Sequence, residues 1–221
     1  MEVRGMFLSR VELDDSLRST MQALVCPQKL HGAVESAFSG ERRRSLWRLD
    51  RLGGKLYLLI VSEEIPALDS IAAQFGPRNR QPTMETRDYD PFLQRITEGS
   101  IWHFRLTANP TVSRSRNGTQ GERGKVFAHI TTEHQENWLF ERAEKHGFSL
   151  EPDVFSVVSS QWLSFRKGAD RQHVSLLAVT YEGTLRVVNP LLFRQALTNG
   201  IGRGKAYGLG LLTIVRPKAV G

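Results

Sequence analysis

The spacing of apolar residues along the chain predicts two successive units with the same order of elements. Alternating apolar positions are typical of a strand with one buried face, and apolar residues every three or four positions are typical of a helix. In the first half the predicted elements are a strand at 6–13, a helix at 17–25, a second helix from Pro27 to a stop at Gly40, strands at 45–50 and 55–61 around a turn at 52–54, a helix at 66–75 and an irregular strand within 76–91.

The second half repeats this order. Thr132 and Gln135 fit a capping box, which predicts the start of a helix that stops at Gly147. Gly183 predicts a turn into a short additional strand. The other predicted elements are a strand at 101–106, a basic loop at 108–124, strands at 154–165, 174–181 and 184–188, a helix at 190–197, a glycine-rich stretch at 200–210 and a closing strand at 211–215.

Two βαββαβ runs in one chain predict an α+β protein made of two tandem ferredoxin-like (RRM-like) domains. We place the N-terminal domain at residues 1–95 and the C-terminal domain at residues 96–221. Each domain is expected to have an antiparallel sheet with its helices on one face. The other face is then available for packing or for binding a partner.

Charge narrows the class of partner. The formal net charge is +7 and the pI is near 9.9, which favours nucleic acid or an anionic membrane surface. No long basic amphipathic helix is visible, so nucleic acid is the favoured partner, with a generic basic protein as the alternative. Only 9% of the residues are aromatic, which argues against an extensive base-stacking surface.

The sequence further predicts a cytoplasmic protein. Its longest apolar runs, 56–61 and 209–215, are much shorter than the roughly 20 residues of a membrane-spanning helix. The first residues carry no apolar signal-peptide core, and the single cysteine, Cys26, fits a reducing compartment.

The glycine-rich stretch is the most specific motif. It has glycines at 200, 202, 204, 208 and 210 and the cations Arg203 and Lys205. Glycines let backbone N–H groups approach an anion closely. However, the stretch lies between a helix and a strand, which is the reverse of a dinucleotide-binding motif, and Ala206 follows Lys205 where a P-loop needs Ser or Thr. A tight helix-to-strand connection is the alternative.

This C-terminal pattern, Gly-Ile-Gly-x-Gly-Lys-x-x-Gly-x-Gly-Leu-Leu after a helix, resembles the signature of the RAMP superfamily of CRISPR proteins. Further matches resemble the CasE family of CRISPR-associated endoribonucleases in particular. They run through most of the chain and are Met-Phe-Leu-Ser-Arg-Val at 6–11, Leu-His at 30–31, Phe-Arg-Leu-Thr-Ala-Asn-Pro at 104–110 and Tyr-Glu-Gly-Thr-Leu-Arg-Val at 181–187.

The resemblance implies cleavage of CRISPR repeat RNA at the 3′ base of its hairpin. It also implies that the product, the crRNA, stays bound and enters the type I-E surveillance complex called Cascade, together with its other subunits. Neither implication follows from composition or spacing.

His31 is the candidate catalytic residue. RNA is cut without metal when its 2′-OH attacks the adjacent phosphate, which requires a base, an acid and positive charge on the phosphate. Imidazole suits either proton role. The sequence alone gives His31 little preference over the other five histidines, but the resemblance places a histidine here. The family often has a tyrosine three residues earlier, where this chain has Gln28, and Lys29 is a candidate for the phosphate.

Basic residues elsewhere are candidates for RNA binding. In the family, a hairpin between two strands of the second domain carries cations to the RNA, which makes Lys167 the candidate for charge stabilisation and Arg166 and Arg171 candidates for backbone contacts. A solvated turn is the alternative for these three. The predicted basic loop adds Arg114, Arg116, Arg123 and Lys125, for which simple solvation is equally compatible.

No metal-ligand motif is visible, so we expect neither a metal nor an organic cofactor. The leading hypothesis is a metal-independent endoribonuclease whose products carry a 2′,3′-cyclic phosphate and a 5′-OH. The alternatives are an RNA-binding scaffold subunit that does not cut and an unrelated ferredoxin-like metabolic enzyme.

Overall fold

The computed structural model describes residues 5–40, 45–114, 125–167 and 172–217. Its α-helices are α1 (Arg18–Val25), α2 (Pro27–Ser36), α3 (Leu68–Phe75), α4 (Asp90–Gln94), α5 (Thr132–Ala143) and α6 (Pro190–Asn199), with 3-10 helices at Glu144–His146 and Lys205–Tyr207. Its strands are β1 (Phe7–Leu13), β2 (Leu46–Leu52), β3 (Lys55–Ser62), β4 (Met84–Asp88), β5 (Ile101–Ala108), β6 (Thr111–Arg114), β7 (Lys125–Ala128), β8 (Phe148–Ser149), β9 (Phe155–Lys167), β10 (Gln172–Val187) and β11 (Leu212–Val215). None of these helices is long and apolar enough to cross a membrane.

The first unit is ferredoxin-like. Its strands pair antiparallel in the order β2-β3-β1-β4, which is the order that a βαββαβ chain gives. Side chains on one face of this sheet, including Val11 and Leu58, are fully buried together with Leu30 and Val34 of α2 and Ile71 of α3. The helices therefore cover one face and leave the other to meet the second unit.

The second unit repeats the arrangement. Its strands lie in the order β11-β5-β10, and β10 then pairs antiparallel with β9 along most of its length and with β8 at its end. The helices α5 and α6 cover one face, where Trp138 stacks on Tyr181 and Phe193 meets Phe148 edge-on. The predicted fold class, two tandem ferredoxin-like domains, is therefore confirmed. The boundary predicted at 95/96 falls between the last strand of the first sheet and Ile101 of the second.

Two local predictions were wrong. Gly183 does not turn the chain, because β10 continues through it from Gln172 to Val187. The glycine is needed for a close approach instead, since a Cβ there would lie 2.3 Å from the carbonyl oxygen of Val154. The helix cap is also displaced by one residue: Thr131 accepts from the backbone N–H of His134, whereas Gln135 is buried.

The predicted basic loop at 108–124 begins as a hairpin. Thr111 to Arg114 form β6, which pairs with β7, so the chain leaves the second sheet to make a separate two-stranded element. Residues 115–124 lie outside the described part of the chain.

A buried guanidinium joins the two units. Arg48 of β2 is only 2% exposed, and all five of its N–H groups find acceptors. Two are the carboxylate oxygens of Asp50, at 3.0 and 2.5 Å. The other three belong to the second unit: the carbonyl oxygens of Arg105 at 2.9 Å and Leu211 at 2.7 Å, and the hydroxyl of Thr213 at 2.7 Å. The relative position of the units is thus set by directional bonds as well as by apolar contact.

Replacing Arg48 with Met should lower the free energy of unfolding by about 3–5 kcal/mol, because Asp50 and two carbonyl groups lose buried donors. Urea unfolding followed by circular dichroism measures the change. Arg87→Met is the matched control. Arg87 is 78% exposed in its pair with Glu85, so its loss should cost at most about 1 kcal/mol. Equal effects of the two substitutions would contradict this account of Arg48.

Candidate active site

A cleft of about 410 Å³ lies between the two units. Its floor is the helix-free face of the second sheet, represented by Thr107, Gln161 and Thr180. The opposite wall comes from α1, α2 and the edge strand β2, and the chain segment Tyr207–Leu209 closes one end. Neither unit contains this cleft alone, so its shape depends on the packing between them.

His31 lies beside this cleft on α2. The helix begins at Pro27, whose missing N–H is tolerated in the first turn. The side chain of His31 is 19% exposed, and its Nε2 lies 3.4 Å from Oε1 of Glu35, one helical turn later. Such a carboxylate helps to orient the imidazole ring. The ring therefore lies at the border between the packed face of α2 and solvent, where the sequence pattern predicted it.

Tyr207 connects His31 to the second unit. Its ring meets the His31 ring edge-on with centroids 6.4 Å apart, and it meets the ring of Phe165 edge-on at 4.9 Å. Tyr207 ends the short 3-10 helix of the glycine-rich stretch, and Phe165 lies on β9. Neither aromatic residue was predicted to belong to the site, although the position of Tyr207 among the glycines was a usable signal.

Strand alternation divides the predicted cations of β9 between two faces. Residues 161–167 of β9 and 172–178 of β10 continue beyond the pairing of β10 with β5, and we call this two-stranded extension the ribbon. Because side chains alternate along a strand, Lys167 shares the face of Phe165, towards Tyr207 and His31. Arg166 shares the opposite face and lies across from His173. Arg171 is outside the described residues.

The glycine-rich stretch packs the two units together. Gly204 and Gly208 have φ values of +83° and +79°, a backbone conformation that favours glycine. A Cβ on Gly208 would lie 2.6 Å from the indole of Trp47, which belongs to β2 of the first unit. Lys205 donates to the carbonyl oxygen of Asn199 at 2.6 Å, at the C-terminal end of α6, whereas Arg203 is exposed. The stretch therefore makes a tight contact between the two units, in addition to the predicted helix-to-strand connection.

The two polar residues that shortly precede His31, Gln28 and Lys29, differ in their surroundings. Lys29 donates to the side chain of Gln22 at 2.7 Å and lines a separate groove between α2 and α3, together with Arg78. Gln28 is partly buried, and its Oε1 has no hydrogen-bond partner among the residues that the structure describes. Of the residues predicted around His31, the structure thus brings the face of Lys167 towards it but turns Lys29 away.

Two of the four cations of the predicted basic loop belong to the β6–β7 hairpin. Arg114 and Lys125 lie opposite each other at the end of the β6–β7 hairpin, and the Lys125 ammonium stands 5.6 Å from the centroid of the Phe127 ring. Arg116 and Arg123 lie outside the described residues. In the described ranges, no group of His, Cys, Asp and Glu side chains is arranged to hold a metal ion.

The fold and the cleft define the class of this protein: it has two tandem ferredoxin-like units, with His31 beside the cleft between them. A sequence profile described as CRISPR associated protein matches residues 6–216, and the chain belongs to that family.

Individual relatives agree with this assignment. The CRISPR-associated endoribonuclease Cse3 of Thermus thermophilus is 29% identical over 226 residues, which cover 95% of this chain and 99% of the relative. A structure of Thermus thermophilus Cse3 bound to an RNA representing a pre-cleavage complex is 26% identical, with a TM-score of 0.77 over 96% of this chain and 99% of that one. A chain of a CRISPR RNA-guided surveillance complex, at 24% identity and a TM-score of 0.64 over 96% and 100%, shares the fold.

Replacing Gly208 with Ala should destabilise the protein more than replacing Gly53 with Ala. Both glycines have positive φ, +79° and +58°, so both substitutions carry the same kind of backbone strain. Only at Gly208 does the new methyl group also meet the Trp47 ring, because nothing lies within 4 Å at Gly53. We expect an additional loss of about 1–3 kcal/mol from this overpacking. Thermal and urea unfolding of the two variants measure it, and a larger loss at Gly53 would contradict the proposed contact.

Proposed function

We propose that this protein is an endoribonuclease that cleaves CRISPR repeat hairpins in precursor crRNA. The observation that carries the proposal is the position of His31 beside a cleft between the two units, on the side to which the Lys167 face of the ribbon is turned. The Thermus relative, which matches 95% of this chain, is named a CRISPR-associated endoribonuclease.

The proposed chemistry uses the nucleophile that RNA itself provides. His31 takes the proton of the 2′-OH, the 2′-oxygen attacks the adjacent phosphorus, and the bond to the 5′-oxygen breaks. Lys167 stabilises the negative charge that grows on the phosphate as this happens. The products are a 2′,3′-cyclic phosphate and a 5′-OH, and no metal ion takes part.

RNA recognition is proposed to rest on shape and phosphate charge. A paired RNA stem offers proteins its phosphates and 2′-hydroxyls more readily than its base edges. The net charge of +7 supplies the long-range attraction, and the exposed Arg166 and Arg203 are candidates for individual phosphate contacts. The proposal also keeps five other residues as candidates for RNA contacts: Gln28, Lys29, Arg114, Lys125 and Lys205. We further propose that the product stays bound and joins the other subunits of a Cascade complex in the cytoplasm.

A non-cleaving RNA-binding scaffold is the second candidate, and Gln28 favours it. The resemblance leads one to expect a tyrosine at this position. A glutamine amide donates a hydrogen bond but cannot replace a phenol as a proton donor. A chain without that group would still bind the hairpin through its cations.

His31→Ala should reduce cleavage of a repeat hairpin in EDTA by at least about 100-fold, because general acid–base catalysis contributes about 10²–10⁴-fold. Lys167→Met should slow it by about 10-fold or more by removing a phosphate cation. Single-turnover assays with RNA taken from the CRISPR repeat of the same genome measure both rates, and filter binding measures affinity.

The neighbouring residues His146 and Lys145 give matched controls, because they lie in the 3-10 helix that follows α5 and do not line the cleft. His146→Ala and Lys145→Met change the same residue types and should leave the cleavage rate within about twofold. Tight binding by the wild type with no cleavage, in EDTA or in magnesium, would establish the scaffold instead. Cleavage that needs magnesium would contradict the metal-independent chemistry while leaving the nuclease intact.

A further inference from the structure

The proposed cleavage leaves one proton unaccounted for. When His31 takes the 2′-OH proton, a second group must protonate the departing 5′-oxygen, since an alkoxide is a poor leaving group. The described residues that line the cleft include Arg48 and Arg105, but guanidinium groups do not give up protons in proteins. The hydroxyls of Ser159, Thr107 and Thr180 are far weaker acids than a phenol. Lys167 is already assigned to the charge on the phosphate. Tyr207 is then the described lining side chain with an acidic proton, and its ring contacts His31.

The surroundings of Tyr207 hold its ring firmly but leave its hydroxyl available. Phe165 and His31 meet the ring edge-on from the second and first units respectively. The 3-10 helix that carries it lies between Gly204 and Gly208, both in the left-handed conformation, which allows its tight turn. Among the residues that the structure describes, none hydrogen-bonds the Tyr207 hydroxyl. A phenol that lines the cleft, contacts His31 and has an available hydroxyl is suited to meeting a substrate atom.

We propose that Tyr207 is the general acid of the cleavage reaction, an inference that rests on the proposed function. His31 accepts the proton of the 2′-OH as the new P–O2′ bond forms. The P–O5′ bond breaks, and the proton of the Tyr207 hydroxyl passes to the 5′-oxygen. The imidazolium of His31 then returns its proton through solvent to the Tyr207 phenolate, so both side chains recover their starting states.

Changing the leaving atom tests this role. Cleavage by Tyr207→Phe and by the wild type is measured on two RNAs that differ only at the scissile linkage, which is first located from the wild-type product. One RNA has the natural 5′-oxygen and the other has a 5′-bridging sulfur, which leaves as a thiolate and needs no acid. We expect Tyr207→Phe to be slower by at least about 100-fold on the oxygen RNA and within about threefold of wild type on the sulfur RNA.

The phenylalanine keeps the ring contacts, so affinity for the hairpin and thermal stability should both match the wild type and thereby exclude misfolding. Tyr57→Phe is the matched control. Tyr57 is a buried tyrosine of β3 whose ring faces Arg10 rather than the cleft, and its variant should cleave both RNAs at the wild-type rate.

Equal slowing of Tyr207→Phe on both RNAs would overturn the inference, because it would assign the hydroxyl a role in positioning. Unchanged cleavage of the oxygen RNA would overturn it as well. In either case, loss of cleavage by His31→Ala would still support the proposed nuclease, because that assay does not depend on Tyr207. A wild type that binds the hairpin but cuts neither RNA would instead remove the proposed function, and this inference with it.

Discussion

The buried guanidinium of Arg48 is the constraint on which the site depends. Burial of an ionised group is costly unless every donor is satisfied, and here the satisfying acceptors come from both units. The bonds to Arg105, Leu211 and Thr213 demand one relative position of the two sheets. Since the cleft is lined by residues of both units, the same bonds set the width of the cleft. A purely apolar interface would tolerate small shifts that a forked, five-donor group does not.

The glycine-rich stretch is the second feature that positions the site, because it places Tyr207 next to His31. Gly208 lets the backbone approach Trp47 more closely than a residue with a Cβ would allow. The adjacent Tyr207 thereby lies against His31 of α2. The motif therefore resembles an anion-binding loop in composition but acts first through packing. Its glycines allow an aromatic ring of the second unit to reach a histidine of the first.

The sequence was sufficient to predict the repeated βαββαβ order, because strand alternation and helical spacing are local signals. It was also sufficient to place His31 at the border of the packed face of α2, since Leu30 and Val34 define that face. It was insufficient where contacts between distant parts of the chain determine the role of a residue. Glycine is common in turns, yet Gly183 lies within a strand, where its small size allows the close approach of Val154 and Phe155. Lys29 is two positions from His31, but on a helix that places them about 200° apart, so proximity in sequence was misleading.

The ribbon shows how one short strand can serve two purposes. Alternation places Lys167 on the face of Phe165 and Arg166 on the face of His173, although the two cations are adjacent in the chain. In the proposed reaction, the cation on the inner face acts on the reacting phosphate, where its charge counts most in the transition state. A cation on the outer face adds to binding equally before and after cleavage, which strengthens the hold on substrate and product alike without changing the chemical step. Under the proposed function, product retention and charge stabilisation therefore rest on opposite faces of the same ribbon.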